Sequence, residues 1–198
     1  MGVEYVIMAH PSRKEFVPKL QEAIKCPVVW DDKGLGLVKA HVQAWEAFNA
    51  IPGNYCCVIQ DDVILTEDFR GKMSYHVLNC IEKYGRIGFH AYLRNTVNRH
   101  VLRKVGRCKR EKKDHVVLPS VYSGNSIALP SEHVGPMLEH FKTMDVASGD
   151  RRINDYLHKA GLGVYFPLPS LVDHRELKSL HCGNASGPKL RKALYFES

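Results

Sequence analysis

"YCCVIQDDVILTEDF", residues 55–69, decides how the chain is read. The apolar run from Tyr55 to Ile59 has the length of a buried strand, and it stops at Gln60 and two adjacent carboxylates, Asp61 and Asp62. Like charges at a strand end repel unless a cation or several donor groups offset them. A hard divalent ion such as Mg²⁺ or Mn²⁺, which prefers oxygen ligands, is one way to offset them. A turn or helix cap ahead of "TEDF" accounts for the same spacing equally well.

Upstream, "EYVIMAH" carries an apolar run from Tyr5 to Ala9 that ends in polar, turn-forming residues, and "CPVVW" is a second run stopped by "DDKGLG". Between them, "KEFVPKLQEAIK" repeats Phe16, Leu20 and Ile24 at helical spacing, with Pro18 early, where a first turn tolerates it. Val38, Val42 and Trp45 recur in the same way before "IPGN". Strand, helix, strand, helix, strand over residues 1–65 predicts an α/β fold, a single domain over residues 1–198 whose Rossmann-like central sheet is mostly parallel and flanked by helices. Ligands of such sheets gather at the carboxyl ends of strands. The stretch from His10 to Arg13, the pair Asp31 and Asp32, and the pair Asp61 and Asp62 all fall at such ends.

Downstream, "RIGFHAYL" reads as a strand and "SVYSGNSIALP" as a strand pair around Ser123 to Asn125. "SEHVGPMLEHF" reads as a helix capped by Ser131, and "SGDRRINDYLHKAG" as another stopped at Gly161. Asp150, Ile153, Asn154 and Leu157 share one face of the latter; Asp150 either caps it or faces a reacting hydroxyl as a general base. "LGVYFPLPSLVDH" is a strand leading into a loop. His174 and His181 beyond it read as nitrogen ligands or as ordinary hydrogen-bonded histidines, of which the chain has eleven in all. Trp30 stands ready to stack on a base or to fill the core. The glycines of "DDKGLG" read first as a turn.

With 198 residues and 44% hydrophobic content, the chain can bury a real core. Six cysteines without a C-x-x-C pair argue against a structural zinc site and for reduced thiols. Cys56 and Cys57 are neighbours in a strand and point to opposite faces. The start, "MGVEYVIMAH", has no basic leader, and no stretch is apolar and long enough to span a membrane, so a cytoplasmic protein is expected. The net charge of +7 is concentrated: Arg94 to Lys113 holds nine Lys or Arg and one Glu. Such a segment is either a solvated face or a footprint for a polyanion such as nucleic acid.

Taken together, "VIMAHPSR", "VVWDD", "VIQDDVILTEDF", "SGNSIALPSEHVGPML", "GDRRINDYL", "AGLGVYFPLPSLVDHR" and "SLHCG" resemble the GT-A class of nucleotide-sugar-dependent glycosyltransferases. More narrowly, the chain is similar to the small glycosyltransferases encoded by bacteriophages. The basic segment matches least. The resemblance implies a GT-A-like domain, with residues 1–65 as its nucleotide-sugar half and 66–198 as its acceptor half. It implies a hexosyltransferase of the inverting type that uses Mn²⁺ or Mg²⁺ and a UDP-sugar. Asp62 is then the expected metal ligand, with Asp61 beside it on the nucleotide sugar, His174 completing the metal site and His181 in reserve. Gln60 stands where the family's acidic motif often begins, and Gly149 where an additional acid is common. Asp150 takes the place of the catalytic base, while His10, Arg13, Trp30 and Asp31 hold the nucleotide. The implied acceptor is a hydroxymethylated pyrimidine in phage DNA, with Arg99, Arg103, Arg107 and Lys109 on its phosphates. A surface polysaccharide or lipid-linked sugar is the alternative acceptor. A DNA-binding protein without catalysis is the alternative class.

Overall fold

The structure is a computed structural model and describes residues 2–34, 36–145, 148–175, 177 and 191–197. Its backbone is a seven-stranded sheet in the order β2-β1-β3-β7-β5-β8-β6. The strands are β1 (Val3–Ala9), β2 (Val28–Trp30), β3 (Tyr55–Gln60), β5 (Gly88–His90), β6 (His115–Leu118), β7 (Ser126–Pro130) and β8 (Val164–Pro167). Pairings of β1 with β2, β1 with β3 and β5 with β8 are parallel, and β7 and β6 run against their neighbours. Five of the seven strands therefore point the same way, as the alternating pattern at the start of the chain requires.

The side-chain period of two divides the core. Val6, Met8, Cys56 and Val58 face one hydrophobic layer, whereas Tyr5, Ile7, Tyr55, Cys57 and Ile59 face the other. Burial of both faces explains why β3 reads as an unbroken apolar run. The second layer is closed by α1 (Val17–Ile24), which buries Val17, Leu20 and Ile24, and by α3 (Phe69–Tyr84), which buries Phe69, Met73, His76, Val77 and Cys80. α3 has no counterpart among the sequence expectations. Its inner stripe includes a histidine and a cysteine, so its apolar periodicity is weak. Asp68, which accepts from the Gly71 N–H, opens it.

The first layer is closed by α2 (Leu37–Glu46), α4 (Arg99–Arg110), α5 (Ser131–Lys142) and α6 (Gly149–Lys159). The helix read from Val38, Val42 and Trp45 is α2, which turns Ala40, His41, Ala44 and Trp45 inward while Val38 and Val42 stay half-buried. Two expectations are corrected here. Ser131 is the first residue of α5 and makes no cap; its hydroxyl lies 3.5 Å from Glu132 Oε2. Residues 121–125 form a bent loop ahead of β7 and not a second strand. Asn154 on α6 secures that loop, its Oδ1 accepting from Val121 N at 2.7 Å and its Nδ2 donating to Val121 O at 2.9 Å.

Residues 99–110 of the basic segment are α4. Asn98 caps it through Val101 N, and Val101, Val105 and Cys108 bury one face. A small second sheet pairs β4 (Val63–Leu65) with β9 (Val172–His174), antiparallel, with Val63 opposite His174. Among the described residues no helix is long and apolar enough to cross a membrane. The described cysteines are all free.

Candidate functional site

Strand register builds the site. Ala9 pairs with Trp30 and Met8 with Gln60, so β1, β2 and β3 end level with one another. The next backbone bonds continue that edge, Asp31 N donating to Ala9 O at 2.8 Å and Asp61 N to Met8 O at 3.1 Å. His10, Asp31, Asp61 and Asp62 are thereby set along one rim. A cavity of about 250 Å³ opens there. His10, Arg13, Asp31, Asp61, Asp62, Asp150 and His174 all line it.

The carboxylates meet a guanidinium. Arg13 Nη1 donates to Asp61 Oδ1 at 3.0 Å and to Asp62 Oδ2 at 2.7 Å, and all three side chains are at most 10% exposed. Arg13 reaches them from a 3₁₀ turn, Pro11–Phe16, that bends the chain back after β1. Asp61 Oδ2 also accepts the His10 N–H at 2.7 Å. Burial, reinforced by its neighbour Asp62, raises the Asp61 pKa; the His10 N–H and Arg13 oppose that rise.

His174 arrives from far along the chain through the pairing of β4 with β9. Its Nε2 lies 3.3 Å from Asp62 Oδ2, and its Nδ1 lies 2.7 Å from the carbonyl of Arg175. A carbonyl only accepts, so Nδ1 carries a proton. Nε2 is then the ring nitrogen that faces the Asp62 carboxylate. Among the described residues Asp62 Oδ1 is buried with no hydrogen-bond partner. A histidine that donates its other N–H to a carbonyl, beside a carboxylate oxygen left without a partner, is a donor set suited to a divalent cation. Among the described residues no three His, Cys, Asp or Glu cluster for such an ion; Asp62 and His174 are the two side chains at this rim that could hold one. His181 lies outside the described residues.

Asp150 opens α6. It accepts the Arg151 N–H at 3.0 Å and the hydroxyl of Ser148, and it remains half-buried at the cavity wall. Trp30 does not line the cavity; it is half-buried against the layer under α1 and α3. Arg99, Arg103 and Arg107 recur every fourth residue and are exposed on the outer face of α4. Lys109 lies with its ammonium 3.6 Å from the centre of the Tyr195 ring. None of the four lines the cavity, but Arg94, earlier in the same basic segment, does.

Sequence reading passed over His41, Tyr92, Tyr122, Asn125 and Arg191 as lining residues. Only "SGN" ahead of β7 carried a local signal, a polar turn at the start of a strand. The others enter through tertiary packing.

No family model matches this chain. No curated protein matches it either. Among solved structures, a mutant Drosophila beta-1,4-galactosyltransferase 7 in complex with manganese, UDP-Gal and xylobiose resembles it at 10% identity and a TM-score of 0.46, over 98% of this chain and 71% of that one.

Proposed function

We propose that the protein is a metal-dependent glycosyltransferase of the GT-A type, moving a hexose from a UDP-sugar to a hydroxyl of a hydroxymethylated pyrimidine in phage DNA. The observation that carries the reading is the buried cluster of Asp61, Asp62, Arg13 and His174 at the carboxyl rim of a largely parallel sheet, beside a cavity also lined by Asp150.

In this reading Asp62 and His174 hold Mn²⁺ or Mg²⁺. When bound, the ion supplies Lewis-acid stabilisation of the departing diphosphate. Arg13 offsets one of the two negative charges when the donor is absent and lies at the edge where the diphosphate would sit. His10 and Asp31 line the nucleotide end. Asp150 takes the proton of the acceptor hydroxyl as its oxygen attacks the anomeric carbon, and the electron pair of the breaking bond leaves with UDP. Attack on the face opposite UDP inverts that carbon, so an NMR spectrum showing a retained anomer would remove Asp150 from this role.

The acceptor assignment is supported by the exposed arginines of α4 and by Arg94 and Arg191 at the cavity, which give a polyphosphate chain a positive approach to the site. A pyrimidine inside a duplex has to leave the stack to reach such a cavity.

The test of the donor site is thermal unfolding with UDP, with Mn²⁺, and with both. A ligand that binds only the folded protein raises the midpoint. A rise that requires both, and that disappears in Asp62→Asn, is expected. No rise with any nucleoside diphosphate would overturn the reading.

A further inference from the structure

His41 is an odd residue for its position. It occupies the buried face of α2 between Ala40 and Ala44, is 1% exposed, and yet is among the residues that line the cavity. Two separate segments give way to it. A Cβ on Gly124, in the loop before β7, would lie 2.9 Å from His41 Nε2, and a Cβ on Gly149, the first residue of α6, would lie 2.7 Å from His41 Cδ2. Neither glycine has a positive φ. The backbone therefore does not call for glycine at either place, but the ring does. The same Nε2 lies 3.3 Å from the amide nitrogen of Gln60, the residue just before Asp61.

The ring thus sits between the end of β3, with its diphosphate-side carboxylates, and the start of α6, one residue from Asp150. In a glycosyl transfer the sugar being moved lies between the leaving diphosphate and the base. We infer that His41, held by Gly124 and Gly149 and paired with Gln60, is the residue that selects the transferred sugar: its Nε2 edge and the Gln60 amide receive a sugar hydroxyl, and its bulk excludes a larger substituent such as an acetamido group. This rests on the transferase reading above. It also accounts for glycine beside Asp150, because any side chain there would need the volume that the imidazole fills.

The experiment measures affinities, in Mn²⁺ and by calorimetry, for UDP, UDP-glucose, UDP-galactose and the two matching UDP-N-acetylhexosamines. In the wild type a UDP-hexose is expected to bind about tenfold more tightly than its N-acetyl counterpart, and in His41→Ala that ratio should fall to about one. A second readout needs no sugar. Gly149→Ala should lower the melting temperature by about 5 °C, since the methyl and the ring cannot share the space, and the same change made in His41→Ala should cost nothing. An unchanged sugar ratio in His41→Ala, with UDP binding intact in the wild type, overturns the inference while the transferase reading stands. Equal costs of Gly149→Ala in both backgrounds overturn the steric argument. Failure of the wild type to bind UDP removes the transferase reading and this one with it.

Discussion

Arg13→Gln tests the charge balance on which the site is built. One guanidinium nitrogen serves both carboxylates at 3.0 and 2.7 Å, with side chains 10% and 5% exposed, so the interaction belongs with buried ion pairs and not with surface ones. Removing the cation leaves two adjacent buried carboxylates. Asp61 keeps the His10 N–H, which softens the loss. We expect a cost at the lower end of the range for an orphaned buried charge, about 3 kcal/mol at neutral pH. In urea, with a slope of about 2 kcal/mol per molar, the midpoint should fall by about 1.5 M. Mn²⁺ should then recover part of the loss, because the variant no longer places a cation against the Asp62 side chain, and its effect on the midpoint should exceed that on the wild type. A loss below about 1 kcal/mol, the size of an exposed pair, would refute the argument that Arg13 offsets charge at the site.

Asn154→Ala removes both hydrogen bonds to the Val121 backbone and should cost about 2 kcal/mol, read as a lower unfolding midpoint; Asn154→Asp, which keeps only the acceptor, should lose less. Burial lowers the pKa of His76 on α3 to about 4, and the still more buried His90 is lowered in the same sense. Both bind protons in the unfolded chain before they do so in the folded one, so stability is complete above about pH 6.5 and falls as the pH drops toward 4, His76 accounting for about 3 kcal/mol. Urea midpoints at pH 7.5 and 5 should show this, and His76→Gln should flatten the profile. Reversing Arg99, Arg103 and Arg107 to Glu should reduce the salt dependence of duplex DNA binding by about three phosphate contacts, read by fluorescence anisotropy, with the UDP-induced rise in melting temperature retained; an unchanged slope would place DNA elsewhere on the protein.

The sequence alone determined the alternating strands and helices at the start of the chain, because apolar periodicity is local and β1 and β3 are buried on both faces. It also placed the polar residues of "AHPSR", "WDD" and "QDD" at strand ends, and parallel pairing turns level ends into a rim. Tertiary structure decided the rest. Which face of α2 turns inward depends on how closely two alanines let it approach the sheet, so His41 became visible only in the packed protein. That Arg13 spans both carboxylates depends on the 3₁₀ turn after β1. That His174, more than a hundred residues away, reaches Asp62 depends on the register of β4 against β9. Such contacts join residues far apart in the chain, and no period or spacing in the sequence encodes the geometry that brings them together.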